Sequence, residues 1–152
     1  MSRIPTSVSL VSVIHDGYLT ACTISSLTSV SVDSSALLFV LKSQSRTLLA
    51  LNKTQYFSIN LLSGLQTNLS LEYSGKREEQ RLENLDNVWD FSKGKFPILR
   101  NSAMSLACEL FNTQIIGSST VVTAKLLSEL NSVEVDPLIY LNRSYHSINS
   151  VI

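Results

Sequence analysis

Apolar and polar residues alternate over several short runs of this chain, and most runs end at a turn signal. In residues 8–14, Val8, Leu10, Ser12 and Ile14 alternate with Ser9, Val11 and Val13, which predicts a strand with two fairly apolar faces. His15-Asp16-Gly17 follows, and Asp-Gly supplies the positive φ of a type I′ turn, so Tyr18–Ile24 is predicted to return as the second strand of a hairpin. Residues 36–41 form a short continuous apolar run, as expected of a buried strand. A short helix is predicted over 45–52 and a further strand over Tyr56–Leu61. Ser63 is predicted to cap a second helix, in which Leu65, Leu69 and Tyr73 recur at helical spacing until Gly75 ends it.

The dense charge run at 76–86, KREEQRLENLD, reads as a solvated helix or a mobile loop. Residues 88–99 read as an irregular connection, because Gly94 and Pro97 break any period. Residues 104–113 alternate, with Met104, Leu106, Cys108, Leu110 and Asn112 on one face. Strands are predicted again at 120–127, at Leu138–Leu141 and at 145–148. Many strands and two short helices predict a mainly β, antiparallel barrel with helical decoration. With 152 residues and no internal repeat, one domain spanning 1–152 is expected.

Composition narrows the partners. The net charge is zero and 16% of residues are charged, which argues against an electrostatic nucleic-acid binder. Hydrophobic residues make up 44%, which favours apolar surface covered by a second copy. Cys22 and Cys108 stand far apart with no CxxC spacing, so neither a disulfide framework nor a metal site is expected. The opening MSRIPTSVSL lacks a long apolar run, and no stretch reaches the ~18 apolar residues that span a bilayer. A cytoplasmic protein without membrane contact is expected. No G-x-S-x-G elbow, H-E-x-x-H, P-loop or Gly-rich dinucleotide fingerprint is present, and two histidines are little material for a catalytic triad.

Candidate chemistry concentrates in residues 20–47. A hydroxyl-rich run, Thr23-Ile24-Ser25-Ser26-Leu27-Thr28-Ser29-Val30-Ser31, precedes a turn at Asp33-Ser34-Ser35 and the apolar strand. A second polar loop, Lys42-Ser43-Gln44-Ser45-Arg46-Thr47, opens the predicted helix. Amides at a helix start, with Ser, Thr and Arg side chains, suit an anion or phosphate, and Ser45 can cap the helix as well.

This stretch resembles the flavin reductase family, small FMN-binding split-barrel proteins that supply reduced flavin to two-component monooxygenases. The family pattern runs roughly T-x-S-S-F-x-S-V-S-x-D-P-P-L, then an apolar strand, then a Lys/Ser-rich loop ending S-R-T-L. Thr23, Ser25, Ser26, Ser29, Val30, Ser31 and Asp33 fall in register, while Leu27 stands where Phe is usual and Ser34-Ser35 replace a Pro pair. The resemblance continues towards the C-terminus. It implies an FMN-binding split β-barrel, a homodimer with flavin near its interface, and a partner oxygenase. It implies that Thr23, Ile24, Ser25, Ser26 and Ser29 meet the flavin ring, and that Ser43, Ser45, Arg46 and Thr47 hold its phosphate or ribityl chain. FMN is the expected cofactor, with FAD as the alternative and NAD(P)H as co-substrate.

Three further positions are nicotinamide-side candidates by the same resemblance: Ser119, Tyr145 and His146, with His146 the one candidate for a catalytic side chain. Many family members carry Gly-Asp-His where this chain has Gly117-Ser118-Ser119, and Gly-Glu-Val where it has Ala124-Lys125-Leu126. Serine donates a hydrogen bond but offers no cationic or aromatic ring. A flavin carrier or electron-transfer protein that does not use NAD(P)H directly is therefore the second reading. A flavin-dependent oxidase related to pyridoxamine phosphate oxidases is a third, but it calls for an Arg- and Lys-rich substrate-phosphate site that this sequence lacks. Trp89 occupies the family's place for a Trp in the connection after the charged run, and core packing or an interface role is expected of it.

Overall fold

The computed structural model describes residues 3–75 and 80–148. A two-residue strand β1 (Thr6–Ser7) leads into the predicted hairpin of β2 (Ser9–His15) and β3 (Tyr18–Ile24). Asp16 and Gly17 at its turn take φ of 50° and 78°, the paired positive values that a two-residue connection requires. Then follow β4 (Thr28–Ser31), β5 (Ala36–Lys42), α1 (Arg46–Thr54), β6 (Tyr56–Leu61), α2 (Thr67–Ser74) and β7 (Gln80–Arg81). A 3₁₀ turn at Leu82–Asn84, β8 (Trp89–Asp90), β9 (Ile98–Leu99), the long β10 (Met104–Ile116) and β11 (Ser119–Ser132), β12 (Leu138–Leu141) and β13 (Ser144–Ser147) complete the order.

Eight strands form one antiparallel sheet in the order β4-β5-β11-β10-β6-β2-β3-β7, while β1-β12-β13 and β8-β9 form two small ones. Phe39 of β5 meets Phe57 of β6 edge to face, with centroids 5.7 Å apart, although two strands separate them in the sheet. The sheet must therefore curve round a core of Val11, Val13, Phe39, Leu51, Phe57 and Ile59, with α1 packed over it. A second core of Leu10, Leu19, Leu62, Tyr73, Trp89 and Leu138 lies on the opposite face of β2 and β3. These two strands are covered on both sides, which is why residues 8–14 have no polar face. Trp89 is fully buried in that second core.

Several expectations change in detail. Ser63 does not cap α2: its N–H bonds to Gln66 Oε1 and its backbone bridges to Pro137, so the helix starts only after Gln66. Leu65, expected on the helix's packed face, is 97% exposed in the turn before it. The hydroxyl-rich run is not all loop, since Thr28–Ser31 adds edge strand β4 beside β5, with a bulge between Ser29 and Ser31. Of the charge run, 76–79 lie outside the described residues. The remainder is not a solvated helix: Gln80–Arg81 pairs with β3 and the 3₁₀ turn follows. The connection at 88–99 contains a small ladder, Trp89↔Leu99 and Asp90↔Ile98. Leu106, Cys108 and Leu110 share the barrel-core face as predicted, whereas Ala107 is buried as well and Asn112 is exposed, and three bulges interrupt the pairing of β10 with β11.

A buried polar network anchors that connection. Asn60 Nδ2 donates to Ser12 Oγ (2.8 Å) and Pro97 O (3.3 Å), and its Oδ1 accepts from Leu99 N (2.9 Å) and Ser105 Oγ (2.6 Å). Ser58 Oγ also bonds Pro97 O, and Ser102 joins Leu99 O to Ser105. Each of these side chains is fully buried and satisfied, as buried polar groups must be. Among the described residues, no helix is long and apolar enough to cross a membrane.

Candidate functional site

The predicted site residues gather at three places around the end of β3 and the start of α1. At the first, Ser45 takes extended backbone (φ −72°, ψ 140°) and its Oγ accepts from Leu48 N at 3.2 Å, so it caps α1 as expected. The amides of a helix's first turn point out of this end, where the backbone dipole favours an anion. Arg46 is exposed beside it, whereas Thr47 is buried. Arg46 and Thr47 line a small pocket together with Thr20 and Ala21 of β3, the strand that carries Thr23. Burial pushes the thiol of Cys22 on the same strand up to about 11, and the Thr47 hydroxyl near it offsets this only in part.

At the second place, the Lys42–Ser45 turn meets the tip of the β10–β11 hairpin. Ser43 N donates to Ser118 O at 3.0 Å, and the Ser43 and Thr120 hydroxyls lie 2.9 Å apart. Gly117, with φ 59°, supplies the left-handed turn of the tip, and Ser119 pairs with Lys42. Ser119 is therefore brought next to the Ser43 loop.

At the third, the hydroxyl-rich run leaves β3. Thr23 Oγ1 donates to Ser70 O of α2 at 2.8 Å, so its proton is committed within the protein. Ile24 is buried in the barrel core, and only its backbone is open to a ligand role. Ser26 Oγ accepts from Val40 N at 2.9 Å and keeps its own proton to donate. Ser25 and Ser29 are exposed.

Tyr145 OH bonds Ser70 Oγ at 2.9 Å, so Thr23 and Tyr145 meet on one residue. His146 is not joined to them. It is exposed, its Nε2 lies 3.3 Å from Leu141 O within its own hairpin, and it belongs to the three-stranded sheet while Ser119 belongs to the large one. Ser70 and Thr120 are the residues that sequence reasoning missed. Each is polar or small on a buried face and acts through a partner distant in sequence. The one available signal was the helical spacing of Ser70 and Tyr73, which puts both on the covered face of α2.

A cleft of about 1380 Å³ lies elsewhere, against Ser63, Gln66, Arg100, Val133, Asp136 and Ser147. None of the predicted site residues lines it. Volume alone would favour it as a ligand site, but the hydroxyls and the helix end converge at α1. No group of three or more His, Cys, Asp or Glu among the described residues is placed to hold a metal.

Solved structures share this architecture. The flavin reductase component BorF of a bacterial two-component tryptophan halogenase superposes with a TM-score of 0.89 at 22% identity, over 99% of this chain and 94% of its own. The styrene monooxygenase flavin reductase from Pseudomonas putida S12 gives 0.86 at 21% identity, over 99% and 95%. An NADH:FAD oxidoreductase from Streptomyces globisporus, solved with NAD and FAD fragments, gives 0.84 at 16% identity, over 95% and 86%. At such identities the likeness is one of fold. The family is fixed by the sequence itself, for the flavin reductase like domain matches residues 1–149, a span that takes in all three places described above. With its curved antiparallel sheet, capped α1 and hydroxyl-rich β3 exit, the chain belongs to the flavin reductase like domain family.

Proposed function

We propose that this protein, acting as a single domain, reduces flavin with hydride from NADH or NADPH and passes the reduced flavin to a partner oxygenase. The observation that carries the reading is the packing of the capped start of α1 against β3, where Arg46 and Thr47 line one small pocket with Thr20 and Ala21. The donor set fits a flavin nucleotide. Residues 23–32 and 42–49 contain no Asp or Glu, while offering hydroxyls, backbone N–H groups, Lys42 and Arg46. Phosphate suits the helix end with Ser45, Arg46 and Thr47. The Ser25–Ser26 backbone and hydroxyls suit the polar edge of an isoalloxazine, where fixed donors stabilise developing negative charge.

The flavin supplies the redox chemistry when bound, accepting hydride from the nicotinamide. The protein's part is to bind, orient and polarise, so the lack of an acid–base pair does not count against the reading. FMN and FAD both fit. Family membership, together with neighbours that are themselves flavin reductases, favours this reading over the carrier reading.

A homodimer accompanies it. Val30 and Val32 beside β5, and Phe111, Ile115 and Ile116 on the far half of β10, expose apolar side chains that a second copy would cover.

The deciding experiment is an anaerobic titration of the FMN-loaded protein with NADH and then NADPH, followed by flavin absorbance. Bleaching that turns over when free FMN is added supports the reductase. Stable FMN binding without bleaching supports the carrier, and failure to bind FMN overturns both.

A further inference from the structure

The hydroxyl of Tyr145 faces inward, to Ser70, and this gives the tyrosine a role other than contact with a nicotinamide. Ser70 is fully buried in the middle of α2 and serves two partners at once. Its carbonyl accepts from Thr23 Oγ1 at 2.8 Å, and its hydroxyl shares a 2.9 Å hydrogen bond with Tyr145 OH. Thr23 is the last residue but one of β3, so its tether sits where the strand gives way to Ser25 and Ser26. Forward of that point, Ile24 is buried and paired with Ser9, and Ser26 Oγ is held by Val40 N. The exposed Ser25 is thus suspended between Ile24 and Ser26.

α2 cannot hold this geometry by itself. It has eight residues, Thr-Asn-Leu-Ser-Leu-Glu-Tyr-Ser, no side-chain cap and several weak helix formers. Its buried face is fixed from outside, by Tyr145 at Ser70 and by Trp89, whose Nε1 donates to Tyr73 OH at 3.1 Å. The ring of Tyr145 is itself held against Tyr140 across the β12–β13 pair, with centroids 5.2 Å apart.

We propose that Tyr145 is a positioning residue: through Ser70 it fixes Thr23, and with it the flavin-ring end of the site. The inference rests on the reading that residues 23–26 meet the flavin. It assigns Tyr145 to the flavin side of the reaction and to no direct contact with the nicotinamide.

The test is FMN titration by fluorescence quenching, with thermal unfolding and steady-state kinetics, on Tyr145→Phe, Thr23→Val, the double variant and Thr23→Ser. Tyr145→Phe keeps the ring and loses only the hydroxyl. It is expected to weaken FMN binding about fivefold, the scale of one net hydrogen bond, with the KM for NADH unchanged. Thr23→Val has a similar effect, the double variant loses less than the product of the two, and Thr23→Ser restores affinity. A rise in the KM for NADH with FMN affinity unchanged would overturn the proposal and place Tyr145 at the nicotinamide. A lower melting temperature with unchanged FMN affinity would overturn it by reducing Tyr145 to a structural role. If Thr23→Val weakens FMN binding and Tyr145→Phe does not, the strut is wrong while the site stands. If Thr23→Val and the pair Ser45→Ala with Thr47→Ala all leave FMN binding intact, the site reading itself fails and the proposal falls with it.

Discussion

Ser43 and Thr120 stand 77 positions apart, yet their hydroxyls lie 2.9 Å from each other at the join between the β5–α1 turn and the β10–β11 hairpin tip. Ser43 N also bonds Ser118 O, so this loop is held by side chain and backbone together. The turn that delivers Ser45 and Arg46 to the helix end is therefore fixed from the strand that carries Ser119.

Replacing Ser45 and Thr47 together with Ala is expected to weaken FMN binding about tenfold or more, since a hydrogen bond to a charged group is worth roughly 1.5–3 kcal/mol. Ser45→Ala alone also removes the cap of α1 and lowers stability by ~1 kcal/mol. FMN titration and denaturant unfolding on the same samples separate the two effects. Unchanged affinity in the double variant would place the phosphate elsewhere.

Asn60→Ala is expected to destabilise the fold by about 3 kcal/mol, because it strands the Leu99 N–H and the Ser105 hydroxyl without their acceptor in a dry interior. Ser9→Ala makes the opposite case. Ser9 Oγ is fully buried with no hydrogen-bond partner among the described residues, so its removal is expected to leave stability unchanged or raise it. Urea unfolding of the two variants should give clearly different midpoints.

Both cysteines are held as neutral thiols. Burial raises Cys22 to about 11 and Cys108 to about 12, from an ordinary value of 9.0. The folded-state value lies above the unfolded one, so this contribution to stability is complete below pH 9. It is lost as pH rises towards 11 and 12, where the folded thiols themselves ionise. Labelling of Cys108 by a thiol reagent at neutral pH should be slow and should track unfolding, because its side chain is fully buried while that of Cys22 is only partly so. Fast labelling of Cys108 in the native protein would contradict its place in the core.

Phe111→Asp with Ile115→Asp is expected to shift a dimer to monomer without loss of fold, because both side chains are exposed, at 76% and 73%. Sedimentation velocity reads the mass and circular dichroism the fold. A wild-type monomer at micromolar concentration would remove the proposed interface.

Much of this architecture was legible from period and turn chemistry. Tyr18–Ile24, Tyr56–Leu61 and Leu138–Leu141 have the predicted bounds, and the first strand of the Asp16-Gly17 hairpin is shifted by one residue, to Ser9–His15. Elements whose bounds depend on partners were not legible. β4 is exposed and rich in serine, and it is a strand only because β5 offers it an edge. Ser63 looks like a cap, but a bridge to Pro137 claims its backbone. At the site, the sequence named the residues at the α1 end and could not show their commitments. Thr23 donates to Ser70, and Tyr145 turns to the same residue, because α2 lies across both. Contacts across 47 and 75 positions leave no trace in local spacing.

The amide of Asn60 also bears on how the chain folds. Its partners come from β2, from the Pro97–Leu99 segment and from Ser105, so its hydrogen bonds close only when segments far apart in sequence are in place together. A half-assembled sheet that buried Asn60 early would enclose an unpaired amide. Partial structures are thereby penalised, and the barrel and the connection laid across it gain stability in a single cooperative step.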